Sequence, residues 1–550
     1  MNGDLIVTGN GEISSVYLNV EGETRIKEYY RLTLKTSIGP KYFNRVVLET
    51  GSRFYFQGSS GPNLYFRKPV YASGEFQLEG GNYYFQDSLI FRPQGIMNPK
   101  AAKVNMYITK YWRQDGQCPP SPATFYCEGL VEGLVPIQIS GVLRIPSGKT
   151  LINNSIGGFS ITGKLEGTDE TSVFVNKTLL AYGPSSDLSP PMDTGVFDIT
   201  LPGNTVSFNS NASRQEIPAM TYQNILFEKG TPKYLRQGDI HIEGNVGISS
   251  FVQKAPTALT LNRVILSGSG DQLILGNGEG TFEGLEVKKP GGRAIASSTF
   301  SVGDVLFMTQ GVIVADPGVL LLGGSAQILE SDSSYVTGQL ASQRRISEGS
   351  SNNFGGMGIK IKAAATKPIG QLIVIRTTGK SLEPGQIERY FEVIPTNNTD
   401  LDATVEFFYH PRDLNGADET DVEVESKVGT GDFLTREAYL YEPDTNRITV
   451  QDIDEFGFLS ARPKTLAINA FPNPFSEDPL TLQFVLPVAG EARVSIYDTR
   501  GALRYEDKFQ VEAGKSTLVL TDLPIGPGLY FARVVSGKKD GTHLFVKHNR

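Results

Sequence analysis

The feature that most constrains this chain is a long series of very short runs in which apolar and polar residues alternate. Examples are Leu5-Ile6-Val7, Val46-Val47-Leu48 and Phe76-Gln77-Leu78, and Gly, Asn or Ser residues punctuate the series. A period of two residues is typical of β-strands with one buried face. Convincing helical spacing is nearly absent from the chain, so the sequence predicts an all-β protein.

Between residues 130 and 345 these runs follow one another at steps of roughly 8–20 residues, separated by short turns. Strands this short with turns this short fit the coils of a parallel β-helix, whose inward side chains form one apolar column. A pair of β-sandwiches is the competing architecture, but the strand spacing is irregular and hairpin dipeptides are scarce. We therefore predict a β-helix shaft over residues 1–345, with a cysteine-containing insertion near residues 109–129.

Two breaks divide the remainder of the chain. A connector rich in Gly, Ser and Asn follows residue 346, and a second break falls at Arg462-Pro463-Lys464. Longer strands between them predict an antiparallel β-sandwich over residues 349–463, and residues 466–550 form a third unit. The net charge of −8 comes mostly from residues 349–465. No part of the sequence resembles the basic stripe of a nucleic-acid-binding protein.

The ends of the chain leave its location open at this stage. No apolar run approaches the ~18–20 residues that a membrane-spanning helix needs. The first residues lack the basic and apolar regions of a secretory signal. We therefore expect either a cytosolic protein or an exported protein whose signal was removed before this numbering begins.

A set of residues in the third unit follows a specific order and spacing. Its members are Pro472, Asn473, Pro474, Phe475, Gly501, Gly528, Tyr530 and Lys547. Together with the strands between them, they resemble the type A C-terminal sorting domain of cargo of the type IX secretion system of Bacteroidetes. The last strand, which contains Lys547, departs from the family because the usual ending is a shorter apolar strand bracketed by lysines.

This resemblance implies an immunoglobulin-like fold for residues 466–550. It also implies passage through the periplasm, recognition by the type IX translocon and its outer-membrane shuttle protein, and an extracellular or outer-surface location. Attachment to anionic lipopolysaccharide is a further implication. The segments Gln215–Leu226 and Arg389–Pro395 are similar to phrases in large β-helix, adhesin-like surface proteins of the same bacteria. The alternative is an ordinary immunoglobulin-like domain at the end of a multidomain enzyme or binding protein.

Residues that carry catalytic chemistry are sparse. The four histidines are scattered without metal-ligand spacing, so we predict no catalytic residue and no certain cofactor. An acidic run offers oxygen ligands of the kind that Ca²⁺ prefers, with a solvated strand face as the alternative. The candidate Ca²⁺ ligands in this run are Asp413, Asn415, Asp418 and Asp421.

The two cysteines flank a proline-rich stretch. In an exported protein, Cys118 and Cys127 are expected to form one disulfide. Tyr111 and Trp112 precede this stretch, and two interpretations are open for them. They either form a contact surface for a glycan or protein, or cap a coil of the shaft.

These features together favour a secreted or cell-surface structural or adhesive protein that is not an enzyme. Exposed strand edges at the ends of a β-helix invite self-association. The alternative is a polysaccharide-active lyase or hydrolase on the same shaft. That alternative requires carboxylates that face one another within a groove.

Overall fold

The computed structural model describes the chain except for residues 36–38, 59–62, 185–189, 212–213, 237, 255–261, 384–385, 415–421, 437–438, 464–465, 467, 477, 487–488, 513, 538 and 549–550. The described residues form strands, turns and two 3₁₀ helices, Pro411–Leu414 and Pro443–Thr445, and they contain no α-helix. The prediction of an all-β protein is confirmed. Within the described ranges, no helix is long and apolar enough to cross a membrane. The chain divides into two compact units, Met1–Gln343 and Arg344–Arg550.

The first unit is a parallel β-solenoid of about 14 turns, which confirms the β-helix prediction. Its strands are, in chain order, β1 (Leu5–Val7), β2 (Gly11–Ile13), β3 (Leu18–Val20), β4 (Thr24–Ile26), β5 (Arg31–Lys35), β6 (Lys41–Phe43), β7 (Val46–Leu48), β8 (Arg53–Gln57), β9 (Asn63–Phe66), β10 (Val70–Ala72), β11 (Glu75–Leu78), β12 (Gly81–Phe85), β13 (Ser88–Phe91), β14 (Ile96–Pro99), β15 (Val104–Ile108), β16 (Tyr111–Gln114), β17 (Thr124–Cys127), β18 (Gly129–Gly133), β19 (Ile137–Ile139), β20 (Val142–Ile145), β21 (Thr150–Asn153), β22 (Phe159–Ile161), β23 (Lys164–Gly167), β24 (Val173–Asn176), β25 (Leu179–Tyr182), β26 (Val196–Asp198), β27 (Thr205–Phe208), β28 (Gln215–Ile217), β29 (Thr221–Tyr222), β30 (Asn224–Phe227), β31 (Lys233–Leu235), β32 (Ile240–Ile242), β33 (Val246–Ile248), β34 (Phe251–Lys254), β35 (Val264–Leu266), β36 (Gln272–Gly276), β37 (Thr281–Lys288), β38 (Ala294–Ala296), β39 (Phe300–Gln310), β40 (Val312–Leu322), β41 (Gln327–Leu329) and β42 (Tyr335–Ile346).

In the first coils the strands form three faces. Face A begins with β1, β4, β7 and β10, face B with β2, β5, β8 and β11, and face C with β3, β6, β9 and β12. On face A, Leu5 pairs with Thr24, Thr24 with Val46, and Val46 with Val70, so the offsets are 19, 22 and 24 residues. Parallel strands stay in register although the turns between them differ in length.

Successive side chains of each strand point alternately into the solenoid and towards its surface. In β6 and β7 the first and last residues are buried and the middle residue is half-buried. Phe43, Phe66 and Phe85 occupy the same inward position on successive strands, and their ring centroids are 5.6 and 4.7 Å apart. Stacked aromatic rings therefore form part of the apolar column that the sequence predicts.

Residues 109–129 belong to the solenoid, and the prediction of an insertion there is wrong. β16 pairs in parallel with β13 and β18, and β17 pairs with β15 and β20. The proline-rich stretch between β16 and β17 reads as a loop in the sequence. Gln117 and Ser121 nevertheless hold its register, because they form parallel bridges to Ile96 and Ile139 on adjacent coils.

The second unit consists of antiparallel sheets. Its strands are β43 (Ser351–Asn352), β44 (Ile359–Lys362), β45 (Gly370–Thr378), β46 (Arg389–Pro395), β47 (Ala403–Phe408), β48 (Val422–Lys427), β49 (Leu434–Arg436), β50 (Leu440–Glu442), β51 (Arg447–Ile453), β52 (Phe458–Pro463), β53 (Ile468–Phe471), β54 (Leu480–Leu486), β55 (Gly490–Asp498), β56 (Leu503–Val511), β57 (Gly514–Leu520), β58 (Gly528–Ser536) and β59 (Lys539–Lys547). One series runs β43–β44–β47–β51–β50 and another β45–β46–β52–β48–β49. Phe391 of β46 packs edge-on against Phe407 of β47, with ring centroids 5.3 Å apart.

The last seven strands form two smaller sheets around one apolar core. A three-stranded sheet has the order β53–β54–β57, and a four-stranded sheet has the order β56–β55–β58–β59. Leu482 and Phe484 of the first sheet and Ile496, Val534 and Phe545 of the second belong to the same buried cluster. The separation of the second unit into domains 349–463 and 466–550 stays a prediction.

Candidate functional site

The candidate sorting motif begins with a segment that covers the edge of β59. The side-chain amide of Asn473 donates from Nδ2 to the carbonyl oxygen of Leu544 and accepts at Oδ1 from the N–H of Val546, both at 3.0 Å. An edge strand leaves such backbone groups without partners. One side chain therefore pairs with β59 in the way that a neighbouring strand would.

Phe475 continues this pairing through its backbone. Its N–H donates to the carbonyl oxygen of Val546 at 3.0 Å, and its carbonyl oxygen accepts from the N–H of His548 at 2.9 Å. Its buried ring lies 5.7 Å from the ring of Phe545. Phe475 thus anchors the start of the motif to β59.

Lys547 and Tyr530 lie at the same end of the four-stranded sheet. The Lys547 ammonium donates to the carbonyl oxygen of Ile525 at 2.8 Å and lies 5.5 Å from the centre of the Phe475 ring, within cation–π distance. The Tyr530 hydroxyl donates to the carbonyl oxygen of Gly526 at 3.0 Å. These contacts give both residues a positioning role.

Gly501 lies in the turn between β55 and β56. It has a φ of 78°, in the left-handed region that favours glycine, and its N–H donates to the Asp498 carbonyl oxygen at 2.9 Å. The Arg504 guanidinium, with the N–H groups of Ala502 and Arg500, lowers the pKa of Asp498 to about 2. The carboxylate therefore stays charged and holds the turn.

Strand register brings all these parts to one end of the four-stranded sheet. Asp498 at the end of β55 is opposite Tyr530, and Gly528 at the start of β58 is opposite Lys547. Phe475 forms an isolated parallel bridge with Lys547. Residues at both ends of the sequence motif are therefore neighbours in space.

A row of apolar side chains crosses the outer face of this sheet, and sequence analysis missed it. Leu503 is opposite Tyr497, Tyr497 is opposite Phe531, and Phe531 is opposite Leu544. We call these four residues the outer apolar row. Leu503, Phe531 and Leu544 are 50%, 37% and 45% exposed. The available signal was the run from Leu529 to Ala532, which is apolar on both faces of the strand.

A cleft of about 470 Å³ borders the motif on another side. Phe475, Lys547, Asp478, Asp522 and Leu523 are among the residues that line it. The cleft and the outer apolar row offer an incoming chain both polar and apolar contacts.

The other predicted site residues lie elsewhere, and the predicted disulfide between Cys118 and Cys127 is absent. Both thiols are free and buried. Cys127 is an inward residue of β17 opposite Ile108, whereas Cys118 follows the bridge to Ile96 on face B. Burial raises the pKa of Cys118 to about 12, so its thiol is poorly reactive.

Trp112 is in the core of the solenoid rather than on a contact surface. It is 0% exposed, its ring stacks on Phe125 at 5.7 Å, and its indole N–H donates to Gln114 Oε1 at 3.1 Å. Alternation explains the difference, because Trp112 and Gln114 point inward while Tyr111 points outward. The Tyr111 hydroxyl donates to Glu132 Oε2 at 2.8 Å.

Asp413 is occupied by protein partners. It is 2% exposed, and its Oδ2 accepts from Arg389 Nε at 2.7 Å and from the N–H of His410 at 2.8 Å. A buried guanidinium thus takes the place that the Ca²⁺ prediction gave to a metal ion. The other predicted ligands, Asn415, Asp418 and Asp421, lie outside the described residues.

Comparisons with known proteins give little further information. No family model and no curated protein matches the sequence. Among solved structures, the trimeric ectodomain of the C. elegans fusion protein EFF-1 is 11% identical with a TM-score of 0.12. That match covers 35% of this chain and 66% of the other, just under two thirds of its length. A likeness at this level carries no argument about fold or function.

Proposed function

We propose that this protein is cargo of a type IX secretion system and works at the cell surface in a structural or adhesive role. In this proposal residues 466–550 are an immunoglobulin-like sorting domain, residues 349–463 are a β-sandwich, and the solenoid is the exported body. The observation that carries the proposal is the spatial convergence of the motif. Asn473, Phe475, Gly528, Tyr530 and Lys547 meet at one end of the four-stranded sheet, as a recognition surface requires.

The proposed partners of this end are the translocon and its outer-membrane shuttle protein. The outer apolar row supplies contact area that water covers in the free domain. Asn473 at the edge of β59 and the buried Phe475 fix the strand that carries Leu544. The translocon or shuttle protein would contact the exposed row, and the buried motif residues would fix the positions of the strands that carry it. Attachment to anionic lipopolysaccharide follows export in the same proposal.

The solenoid supports a structural or adhesive role. Its strands pair along the axis through successive parallel ladders, and its interior is filled by side chains such as Phe43, Phe66 and Phe85. Such a body gives a long, stiff surface whose outward residues are free to vary. Repeated presentation of side chains along one axis suits contact with other extended molecules.

Export of the full chain, carrying an added signal peptide in a type IX-secreting host, tests the proposal. Cells are fractionated, and the protein is measured in periplasm, at the surface and in the medium. We expect the wild-type chain at the surface or in the medium. Replacing Phe531 and Leu544 by Asp should retain it in the periplasm, because two charges interrupt the outer apolar row.

The control variant carries Asp at Val485 and Val519, which are 63% and 56% exposed on the three-stranded sheet. Its export should match the wild type. Periplasmic retention of the wild-type chain contradicts the proposal, and equal export of both variants contradicts the role of the outer apolar row. Degradation of a polysaccharide panel by purified protein would instead favour the alternative of a polysaccharide-active enzyme.

A further inference from the structure

Face C of the solenoid displays a continuous stack of tyrosine rings. Five successive strands, β6, β9, β12, β15 and β17, place a half-buried tyrosine at the same register. The centroids of neighbouring rings are 4.9, 4.7, 4.4 and 4.5 Å apart, and the rings are within 14° of parallel. We call this stack the tyrosine ladder; its members are Tyr42, Tyr65, Tyr84, Tyr107 and Tyr126.

A rank of amides runs beside the ladder. Asn82 donates from Nδ2 to Asn63 Oδ1, and Asn105 donates to Asn82 Oδ1, both at 2.9 Å. Thr124 is opposite Asn105 and continues the rank on the next strand. The ladder and this rank together form a surface that we call the Tyr–Asn face.

The Tyr–Asn face is uncharged. The outward side chains of β6, β9, β12, β15 and β17 are Tyr, Asn and Thr. The outward positions of face B, in contrast, include Lys35, Arg53 and Glu75. Burial between neighbouring rings raises the pKa of Tyr107 to about 12, so the hydroxyl stays protonated at neutral pH. Depletion of charge and enrichment of tyrosine distinguish the centres of protein interfaces from ordinary surface.

Charged groups occur where the ladder ends. The Arg67 guanidinium lies 4.5 Å from the centre of the Tyr42 ring, and the Arg144 guanidinium lies 5.5 Å from that of Tyr126. Arg144 Nε also donates to Glu166 Oε1 at 2.8 Å. An uncharged centre with a polar boundary is the usual composition of a contact surface.

The stacking limits what can bind there. Each inner ring has both faces covered by its neighbours, so a ligand meets ring edges, hydroxyls and amides rather than open aromatic faces. A partner must therefore present groups at the same spacing as the strands. A second copy of this chain has the same spacing because its strands are paired in the same way. Stacked aromatic rings and Asn ladders are known to pack against each other in dry interfaces between sheets.

We propose that the Tyr–Asn face is the surface through which two copies of this chain associate, around a two-fold axis near Tyr84. An isologous contact requires a self-complementary patch, in which the order of side chains is the same from either end. The ladder meets this requirement, because the axis places Tyr42 opposite Tyr126 and Tyr65 opposite Tyr107. This proposal extends the structural role given above and is tested on purified protein, so it fails or succeeds independently of export.

The size of the patch determines the strength of association. The ladder is about 19 Å long, and a strand of four or five residues is ~13–16 Å long. The patch is thus smaller than the ~800 Å² per partner of a standard interface. We expect weak, reversible pairing that becomes effective where many copies share one surface.

Sedimentation velocity over a wide range of protein concentration tests the pairing. The full chain should shift from monomer to dimer as concentration rises. Tyr84→Lys places two ammonium groups opposite each other at the axis and should weaken dimerisation by at least about tenfold. Thr124→Lys should act in the same direction without removing a ring from the stack.

The matched control is Tyr71→Lys, because Tyr71 is a half-buried outward tyrosine of face A. Its dimerisation should equal that of the wild type, and circular dichroism checks that each variant is folded. Photo-oxidative cross-linking gives a second readout, with intermolecular dityrosine expected at Tyr84.

A wild-type chain that stays monomeric at every concentration overturns the proposal. Equal dimerisation of Tyr84→Lys, Thr124→Lys and wild type overturns it as well, as do cross-links that map to other faces. Binding of a neutral polysaccharide to the Tyr–Asn face by a monomeric chain would identify a different occupant and would also overturn it.

Discussion

At the scale of single residues, one side-chain amide replaces a strand at a sheet edge. Asn473 donates to Leu544 and accepts from Val546, and both functions are needed because β59 presents a carbonyl oxygen and an N–H. An ionised Asp carries acceptors only, so it satisfies one of the two groups. This explains in physical terms why an asparagine fits between two prolines of the motif.

Asn473→Ala should lower the free energy of unfolding by about 0.5–1.5 kcal/mol per lost hydrogen bond. Urea unfolding of the wild type and variant measures the change. Asn469→Ala is the control, because Asn469 is an exposed residue of β53, and it should change stability by no more than about 0.5 kcal/mol. Equal losses in both variants would show that the Asn473 amide does not support β59.

A second residue-scale feature is a buried ammonium in the solenoid. Lys289 is 1% exposed, and Nζ donates to the carbonyl oxygens of Gly268 and Gly270 at 2.7 and 2.8 Å and to Gln272 Oε1 at 2.6 Å. Burial lowers the pKa of Lys289 to about 8, and nearby Asp271 opposes that shift. The folded chain therefore releases this proton more readily than the unfolded chain does.

The pH dependence of stability should reveal this lysine. Below pH 8 the ammonium is charged in both states and its burial costs stability in full. As pH rises from about 8 towards 10.4, the unfolded chain holds the proton more tightly, so the free energy of unfolding rises by at most about 1.4 kcal/mol per pH unit. Lys289→Met should show a smaller rise than the wild type when urea midpoints are compared between pH 7 and 10, because buried Lys233, whose pKa burial also lowers to about 8, keeps its own contribution.

Lys110→Met provides the control, because the Lys110 side chain is 64% exposed, and it should keep the wild-type slope. Burial raises the pKa of Cys118 and Cys127, which lowers stability above pH 9, but this contribution is common to all three proteins. Identical slopes in wild type and Lys289→Met would contradict the assignment of the lowered pKa.

At the scale of elements, alternation was sufficient to predict the strands and the parallel solenoid. It failed where proline-rich sequence occupies a corner, because the bridges at Gln117 and Ser121 depend on neighbouring coils that a local pattern does not reveal. The tyrosine ladder had a usable signal, since its residues from Tyr42 to Tyr126 recur every 19 or 23 positions. Those steps are the offsets between paired strands of face C, so they become recognisable only once the register is known.

The sequence predicted the motif residues of the candidate site but not the outer apolar row beside them. Asn473 and Lys547 come from a sequence motif, and the structure places them together. The outer apolar row requires cross-strand pairing of Leu503, Tyr497, Phe531 and Leu544, which no local pattern specifies. The burial of Asp413 beside Arg389 and of Trp112 in the solenoid core also depends on neighbouring strands, so the local sequence around each residue does not indicate it.

The inward phenylalanine stack should respond strongly to truncation. Phe66 is 0% exposed between Phe43 and Phe85, so Phe66→Ala should lower the free energy of unfolding by about 3–5 kcal/mol. Tyr65→Ala removes the adjacent outward ring and should cost less, because water already reaches it. Urea unfolding of both variants gives the comparison, and equal losses would contradict the assignment of inward and outward faces.

At the scale of the whole molecule, the two units are stabilised by noncovalent contacts among the described residues. The chain has two cysteines, and both are free. The solenoid buries its apolar column as each coil covers the next, and the second unit buries a separate core in its last two sheets. Stability therefore depends on packing and hydrogen bonding rather than on the redox state of the surroundings.

A reducing agent should leave the thermal midpoints of the chain unchanged. Thiol titration should detect two groups per chain after denaturation and almost none before it, because Cys118 and Cys127 are 4% and 0% exposed. A lower midpoint in reductant, together with no titratable thiol in the denatured oxidised chain, would restore the disulfide predicted from the sequence.

The unequal offsets between coils have a consequence for the length of the solenoid along its axis. Turns of different length still deliver each strand to the same height, so the shaft grows in whole steps of ~4.8 Å that backbone pairing sets. Removing one complete coil should shorten it by one step and leave the columns aligned. Removing a single residue from a strand would instead reverse every side chain beyond it until a turn absorbs the error. The length of the solenoid is therefore set by its number of coils, and insertions or deletions are tolerated in the turns between strands.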